Sequence, residues 1–232
     1  MTGIHYDLPG ALDRLNAVFP GFDQTLTGKR IIDFGCGGGY QAVALALAGA
    51  DGVVGVEQED SLVAQANDRA RKHGVADKVR IDRSIPAGLK AHIIVSQNSF
   101  EHFLEAGHIL EEMHSALLPE GKIYITFAPP WYAPWGAHMA FFCRLPWVQL
   151  LFSERTVLDV RGLYRPDGAR TYYEAGLAKM SIRHFERIIR RSGLQMIYRR
   201  YDCVRGFTLL SYIPLIRELA INRVSCILCS SL

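Results

Sequence analysis

The sequence predicts an α/β fold, a doubly wound and mostly parallel sheet with helices on both faces. Three observations carry this. Short apolar runs alternate with helix-period segments along the first half of the chain. The run Ile31-Ile32-Asp33-Phe34 passes through an acid straight into a glycine loop, Gly35-Cys36-Gly37-Gly38-Gly39, and then into helix-forming residues. A second apolar run, Gly52-Val53-Val54-Gly55-Val56, ends on another acid, Glu57, 22 residues after Gly35.

The elements follow in order. Leu8 to Phe19 predicts an amphipathic helix with Leu12, Leu15 and Val18 facing inward, stopped by Pro20-Gly21. The first strand and its glycine loop lead into a helix over Tyr40 to Leu47. After the second strand a helix runs from about Ser61 to His73, closed by Gly74, and Lys78 to Ser84 is the third strand. Ala91 to Ser96 is the fourth, Ala106 to Leu117 a helix, Pro119-Glu120-Gly121 a turn, and Lys122 to Phe127 the fifth strand. Ala128 to about Met180 is too long for a plain connection and is expected to be an aromatic-rich lid with helices of its own. Ser181 caps a helix through Ser192, and Leu194 to Tyr201 and Asn222 to Ser230 are the last two strands. A length of 232 residues, 49% hydrophobic, suits a single domain 1–232. It divides into an N-terminal helical segment (1–27), a core (28–128), the lid (129–180) and a C-terminal completion of the sheet (181–232).

The glycine loop is where a ligand belongs. Glycines remove side chains where a bound molecule approaches the backbone and allow φ > 0 where the chain turns. A dinucleotide loop wants G-x-G-x-x-G, with glycine or alanine where this chain has Tyr40. Here the pattern is D-x-G-x-G-x-G, and the acid closing the second strand is placed to accept both hydroxyls of a ribose. The arrangement Asp33-Phe34-Gly35-Cys36-Gly37-Gly38-Gly39, followed by helix, strand and Glu57, resembles motif I of the class I S-adenosylmethionine (SAM)-dependent methyltransferases. The likeness extends over about residues 28 to 128, with Phe100-Glu101-His102 and Leu117-Leu118-Pro119-Glu120-Gly121-Lys122 similar to the segments around the family's fourth and fifth strands.

The resemblance implies a Rossmann-like, mixed seven-stranded sheet whose last two strands form an antiparallel pair. It implies SAM as cofactor, held by Asp33, Gly35, Gly37, Gly39 and Glu57, with Gln58 under the adenine. By position, Ser84 or Ile85 is the adenine-side contact, and Gln97 lines the wall near the methionine portion. The family's enzymes that methylate a nucleobase amine or a glutamine amide carry an Asn/Asp-Pro-Pro-aromatic run after the fourth strand. This chain has Asn98-Ser99-Phe100, which argues against that substrate class.

Methyl transfer is an in-line displacement from a cationic sulfur, so the protein supplies alignment, a water-poor pocket and, for some acceptors, a base. His102 and His138 are the candidate catalytic bases. Trp131, Tyr132 and Trp135 either form a secondary core beneath the lid, line an apolar substrate pocket, or let the lid touch a membrane surface. The acceptor is then an apolar or aromatic small molecule methylated at O or C. The alternative is a non-catalytic SAM- or nucleotide-binding module that uses the lid to contact a protein or membrane. An acidic peptide-binding groove is not evident in the lid sequence, which speaks against a protein-lysine or protein-arginine acceptor.

A net charge of +3 is mild, and the arginine-rich run from Arg183 to Arg200 reads as a solvated helix face opposite Ile182, Phe185, Ile188 and Ile189, so no nucleic-acid partner is expected. Met1 to Asp7 has neither the basic start nor the apolar core of a signal peptide, and five scattered cysteines (36, 143, 203, 226, 229) read as reduced thiols. Both point to a cytoplasmic protein. Cys226 and Cys229 lie at odd spacing on a strand and face opposite ways, so no metal is expected.

Overall fold

A computed structural model describes residues 8–214 and 216–231. Met1 to Asp7, the segment tested above for a signal sequence, lies outside the described residues. The strands are β1 (Arg30–Phe34), β2 (Gly52–Val56), β3 (Val79–Asp82), β4 (Ala91–Gln97), β5 (Leu117–Phe127), β6 (Leu194–Cys203) and β7 (Ile221–Ser230). They form one mixed seven-stranded sheet in the order β3-β2-β1-β4-β5-β7-β6. β1 pairs in parallel with β2 and β4, and β2 with β3. The direction of winding therefore reverses between β1 and β4, where open α/β sheets leave a crevice at the strands' carboxyl ends.

The helices are α1 (Leu8–Val18), α2 (Tyr40–Leu47), α3 (Asp60–Lys72), α4 (Ala106–Ser115), α5 (Val148–Leu151), α6 (Glu154–Gly162), α7 (Ile182–Arg191) and α8 (Arg217–Ala220). The chain separates into two compact units, one of residues 1–97, 111–124 and 227–232, the other of 98–110 and 125–226.

In the first unit the central strands are buried along nearly their whole length, as both faces of a parallel sheet require: Ile31, Ile32, Ile94 and Val95 are all inaccessible. On α1 the buried stripe is Ala11, Leu15 and Val18, with Leu12 only half-buried. Phe19 and Phe22 then close edge-on against Tyr124 at 5.2 and 4.9 Å, which seats the helix end. The fifth strand starts at Leu117 rather than Lys122, and α4 stops at Ser115. The Ala91 amide donates to the Ala116 carbonyl at 2.8 Å, which commits the chain to the sheet earlier than the helix pattern suggests. Pro119-Glu120-Gly121 is thus a distortion inside the strand, with Glu120 at φ 63°, a bend that a strand absorbs without ending.

In the second unit Phe100, Phe127 and Phe185 pack edge-to-face, Phe185 lying 5.2 Å from Phe100 and 4.9 Å from Phe127. Ser181 caps α7 by accepting from the His184 amide, and Ile182, Phe185 and Ile189 turn inward from it. The stretch between β5 and α7 carries α5 and α6 over its own small core of Met139, Val148, Val157, Leu158, Tyr172 and Leu177. Trp131 packs against that core, edge-on to Tyr172 at 4.8 Å. Trp135 is half-buried, while Tyr132 is exposed.

Candidate functional site

The glycine loop leaves β1 at Phe34, which lies in register with Val56 at the end of β2. The Val56 carbonyl accepts from both the Gly35 and Cys36 amides at 2.9 and 3.0 Å, pinning the first turn of the loop to the neighbouring strand. Gly35, Gly37 and Gly39 all have positive φ. Two of them need to be glycine for different reasons. At Gly37 (φ 52°) a Cβ would meet nothing within 4 Å, so the backbone there faces open space that a ligand can approach. At Gly39 (φ 79°), which caps α2, a Cβ would stand 2.7 Å from the Ala66 Cβ and 2.8 Å from its Cα, so this glycine lets α2 pack directly on α3. Gly39→Ala is expected to destabilise the protein by about 2 kcal/mol or more, combining left-handed strain with an unrelieved backbone clash. Urea unfolding would show it, and an unchanged midpoint would refute the packing role.

Glu57 sits one residue past β2 and reaches back over the loop. Its Oε2 accepts the Gly37 amide at 3.0 Å, and its Oε1 accepts the Gln58 and Glu59 amides at 2.8 and 3.0 Å. A carboxylate has about four acceptor positions, so the two hydroxyls of a ribose would have to take over at least one now used by an amide. Asp33 lies beneath the loop, 1% exposed, with Oδ1 accepting from Gln41 Nε2 at 2.6 Å and Oδ2 lacking a hydrogen-bond partner. Burial drives its pKa up to about 7, opposed in part by the Gln41 hydrogen bond. A buried carboxylate oxygen without a hydrogen-bond partner is costly, and the raised pKa is the protein's response to it.

The other cofactor candidates lie in the same unit. Gln58 is exposed, and its carbonyl accepts from Arg83 Nη1 at 3.0 Å; Arg83 also pairs with Asp60. Ser84 is exposed just past β3, and Ile85 is half-buried with its amide 3.3 Å from Glu112 Oε1. Gln97 closes β4, half-buried. Arg83, which ties the tip of β3 to the loop after β2, and Gln41, the partner of Asp33, escaped the sequence reading. An amide in the first turn of a helix that follows an acid and a glycine loop was the available signal for Gln41; no signal marked Arg83.

In the second unit the two histidines come together, their rings 5.3 Å apart and edge-on. His102 is exposed and its Nδ1 lies 2.6 Å from the Gly176 carbonyl oxygen. A carbonyl only accepts, so Nδ1 carries the hydrogen and the Nε2 lone pair is the one that can take a proton. His138, at φ 56°, is half-buried, and burial together with the neighbouring His102 lowers its pKa to about 4, so it is neutral at physiological pH and a weak base.

Glu101, in the segment after β4, is a conspicuous group. It is 4% exposed, its Oε1 accepts the Ala128 amide at 3.4 Å, and its Oε2 has no hydrogen-bond partner. Burial pushes its pKa up to about 8. With Trp131, His138 and Lys179 it lines a cavity of about 10 Å³, room for about one water. A carboxyl that keeps its proton on folding makes stability fall as pH rises from about 4.5 to about 8, because the unfolded chain releases a proton the folded one retains. Glu101→Gln is expected to remove that contribution, a slope of up to about 1.4 kcal/mol per pH unit. Urea unfolding of both proteins at pH 5 and pH 8 tests this, and parallel pH dependences would disprove it. A separate, largely apolar cavity of about 150 Å³ is lined by Phe142, Val148, Phe152, Thr156, Val157 and Val160.

Comparison with known proteins agrees with this geometry. Residues 26–129 match a family model described as a methyltransferase domain. A ribosomal protein L11 methyltransferase of Photobacterium profundum is 31% identical over 105 residues, which is 44% of this chain and 35% of the relative. One from Vibrio vulnificus is 38% identical over 103 residues, 44% of this chain and 34% of the relative. The match thus spans about a third of the length of these relatives. Among solved structures, magnesium protoporphyrin IX methyltransferase of Synechocystis, with bound SAH, superposes with a TM-score of 0.60 at 18% identity, over 100% of this chain and 88% of that one. The 4+2 cyclase SpnF gives a TM-score of 0.64 at 16% identity, over 98% and 85%. Motif, loop geometry, strand order and the family match over residues 26–129 agree on a methyltransferase domain with the fold of the S-adenosylmethionine-dependent methyltransferases.

Proposed function

We propose that this protein is a SAM-dependent methyltransferase acting at O or C of an apolar or aromatic small molecule. The observation that carries the cofactor reading is Glu57 closing over the glycine loop onto the Gly37 amide, which puts a carboxylate and an open backbone side by side. In this reading Glu57 takes the ribose hydroxyls, Gly35, Gly37 and Gly39 admit the backbone-hugging part of the cofactor, and Gln58 with Ser84 or Ile85 borders the adenine. Asp33 Oδ2 and Gln97 face the methionine portion. SAM supplies the activated methyl group. Residues 28–128 form the cofactor core and 129–180 the substrate lid of a single methyltransferase domain. His102, through Nε2, removes the proton of the acceptor; His138, neutral beside it, holds the ring edge-on and keeps a second positive charge away. The aromatic residues of the lid support an apolar acceptor, Trp131 lining the small cavity that His138 also borders.

A protein acceptor is the second reading, favoured by relatives named as ribosomal protein L11 methyltransferases. A binding module that transfers no methyl group is a third reading, because the same fold is found in the 4+2 cyclase SpnF and fold alone does not set the reaction. Calorimetric titration with SAM and, separately, NAD tests the cofactor. Transfer of labelled methyl from SAM into a small-molecule extract or into ribosomal protein then tests the acceptor. Saturable SAM binding with label in the small-molecule fraction supports the first reading, label in protein supports the second, and binding without transfer to either supports the binding module.

A further inference from the structure

The chain's mild net charge conceals a strong local imbalance. From Ser181 onward the sequence holds nine arginines against three acids, whereas the rest of the chain carries a small acidic excess. The three acids are each at least half-buried and each faces an arginine: Glu186 pairs with Arg217 at 2.7 Å, Asp202 with Arg200 at 2.8 Å, and Glu218 lies 4.0 Å from Arg183. The excess positive charge is therefore outward. On α7, Arg183, Arg187, Arg190 and Arg191 form the exposed face at helical spacing, and Arg199 and Arg205 are exposed on and just after β6.

The connection between β6 and β7 is apolar and exposed at the same time. Leu209 is 80% and Tyr212 79% accessible, Phe207 61%, and Ile213, Ile216 and Leu219 are all exposed as well. A soluble surface tolerates such residues singly; six within thirteen positions form a patch that wants an apolar environment. Its end at α8 is anchored. Both Glu218 oxygens accept amides at the start of α7, from Ile182 at 3.1 Å and Arg183 at 2.8 Å, and Arg217 forks onto Glu186, which also accepts from the Tyr201 hydroxyl at 2.8 Å. The apolar patch is thereby held against the arginine-bearing helix and strand.

We infer that this face docks on the surface of a bilayer containing anionic lipid, with Phe207, Leu209, Tyr212, Ile213, Ile216 and Leu219 entering the headgroup and acyl boundary and the arginines of α7 and β6 lying on the phosphates. Apolar residues flanked by arginines, with every nearby acid already paired, are what interfacial binding requires. An RNA partner would use the same arginines but gains nothing from exposed Leu209, Ile213, Ile216 and Leu219. Among the described residues no helix is long and apolar enough to cross a membrane, so the contact is one of surface docking. The inference is independent of the proposed methyl transfer.

Sedimentation of the full chain with vesicles of phosphatidylcholine alone, or of phosphatidylcholine with phosphatidylglycerol, tests it. Binding to the anionic vesicles is expected to exceed binding to the neutral ones at least tenfold and to weaken with salt. Leu209→Asp with Tyr212→Asp should abolish it, and Arg187→Glu with Arg191→Glu should lower it about tenfold. These side chains are exposed, so circular dichroism and SAM affinity should not change, and agreement in both confirms that lost binding is not lost folding. Equal binding by wild type and the Asp variant overturns the inference, as does binding to a single-stranded or duplex RNA with none to vesicles.

Discussion

Glu57→Ala is expected to weaken SAM binding about 100-fold. A hydrogen bond to a charged group contributes about 1.5 to 3 kcal/mol, and two ribose hydroxyls on one carboxylate come to about 3 kcal/mol, or about two decades in Kd. Glu57→Gln keeps an acceptor for the Gly37 amide but loses the charge, and should fall between the two proteins. Glu57 also accepts three backbone amides in the unliganded chain, so the alanine variant is expected to lose stability as well. The two effects separate experimentally: calorimetry reports the affinity, and urea unfolding without ligand reports the loop. An alanine variant that binds SAM within threefold of wild type would remove Glu57 from the cofactor site.

His102→Gln is expected to lower kcat by about 10² to 10⁴ while leaving SAM affinity unchanged, the range for losing a general base. Its geometry singles it out, because the Gly176 carbonyl fixes the hydrogen on Nδ1 and leaves the free lone pair on Nε2. His138→Phe should have the smaller effect, since a ring whose pKa is lowered to about 4 accepts a proton poorly. For the same reason His138 stays uncharged from pH 5 upward, and its removal should leave the shape of the rate profile above pH 5 as it was. A His102→Gln enzyme with full kcat would mean that alignment alone drives transfer, as is sufficient for an acceptor that is already ionised.

The cofactor core was legible because local signals coincide there. Asp33, the glycine run and Glu57 follow one another within a strand-loop-helix-strand unit, and a parallel sheet makes that order spatial by setting β1 beside β2 in register. The extent of β5 was not legible: Pro119-Glu120-Gly121 has turn composition, and only the pairing of Ala91 with Ala116 carries the strand through it. Asp33 shows the same limit on a single residue. Its presence before the loop was readable, but that it would be 1% exposed, hydrogen-bonded to Gln41 and raised in pKa by burial depends on what the sheet and α2 bury around it.

Glycine offers the sharpest contrast. Three glycines in one motif look alike in the sequence, yet Gly37 answers to open space and Gly39 to the Ala66 backbone of α3, a residue 27 positions away. Likewise the arginines after Ser181 read as a solvated helix face, and only the pairing of Glu186, Asp202 and Glu218 with three of them reveals an outward excess of charge beside an exposed apolar segment. The sequence by itself determined the order of strands and helices, the glycine loop and the acid that closes the second strand, because periodicity and turn chemistry act over neighbouring residues. Burial, the meeting of His102 with His138, the isolation of Glu101 and the charge left on the surface were decided by the tertiary structure alone, because each is set by groups distant in the chain that packing brings within a few ångströms.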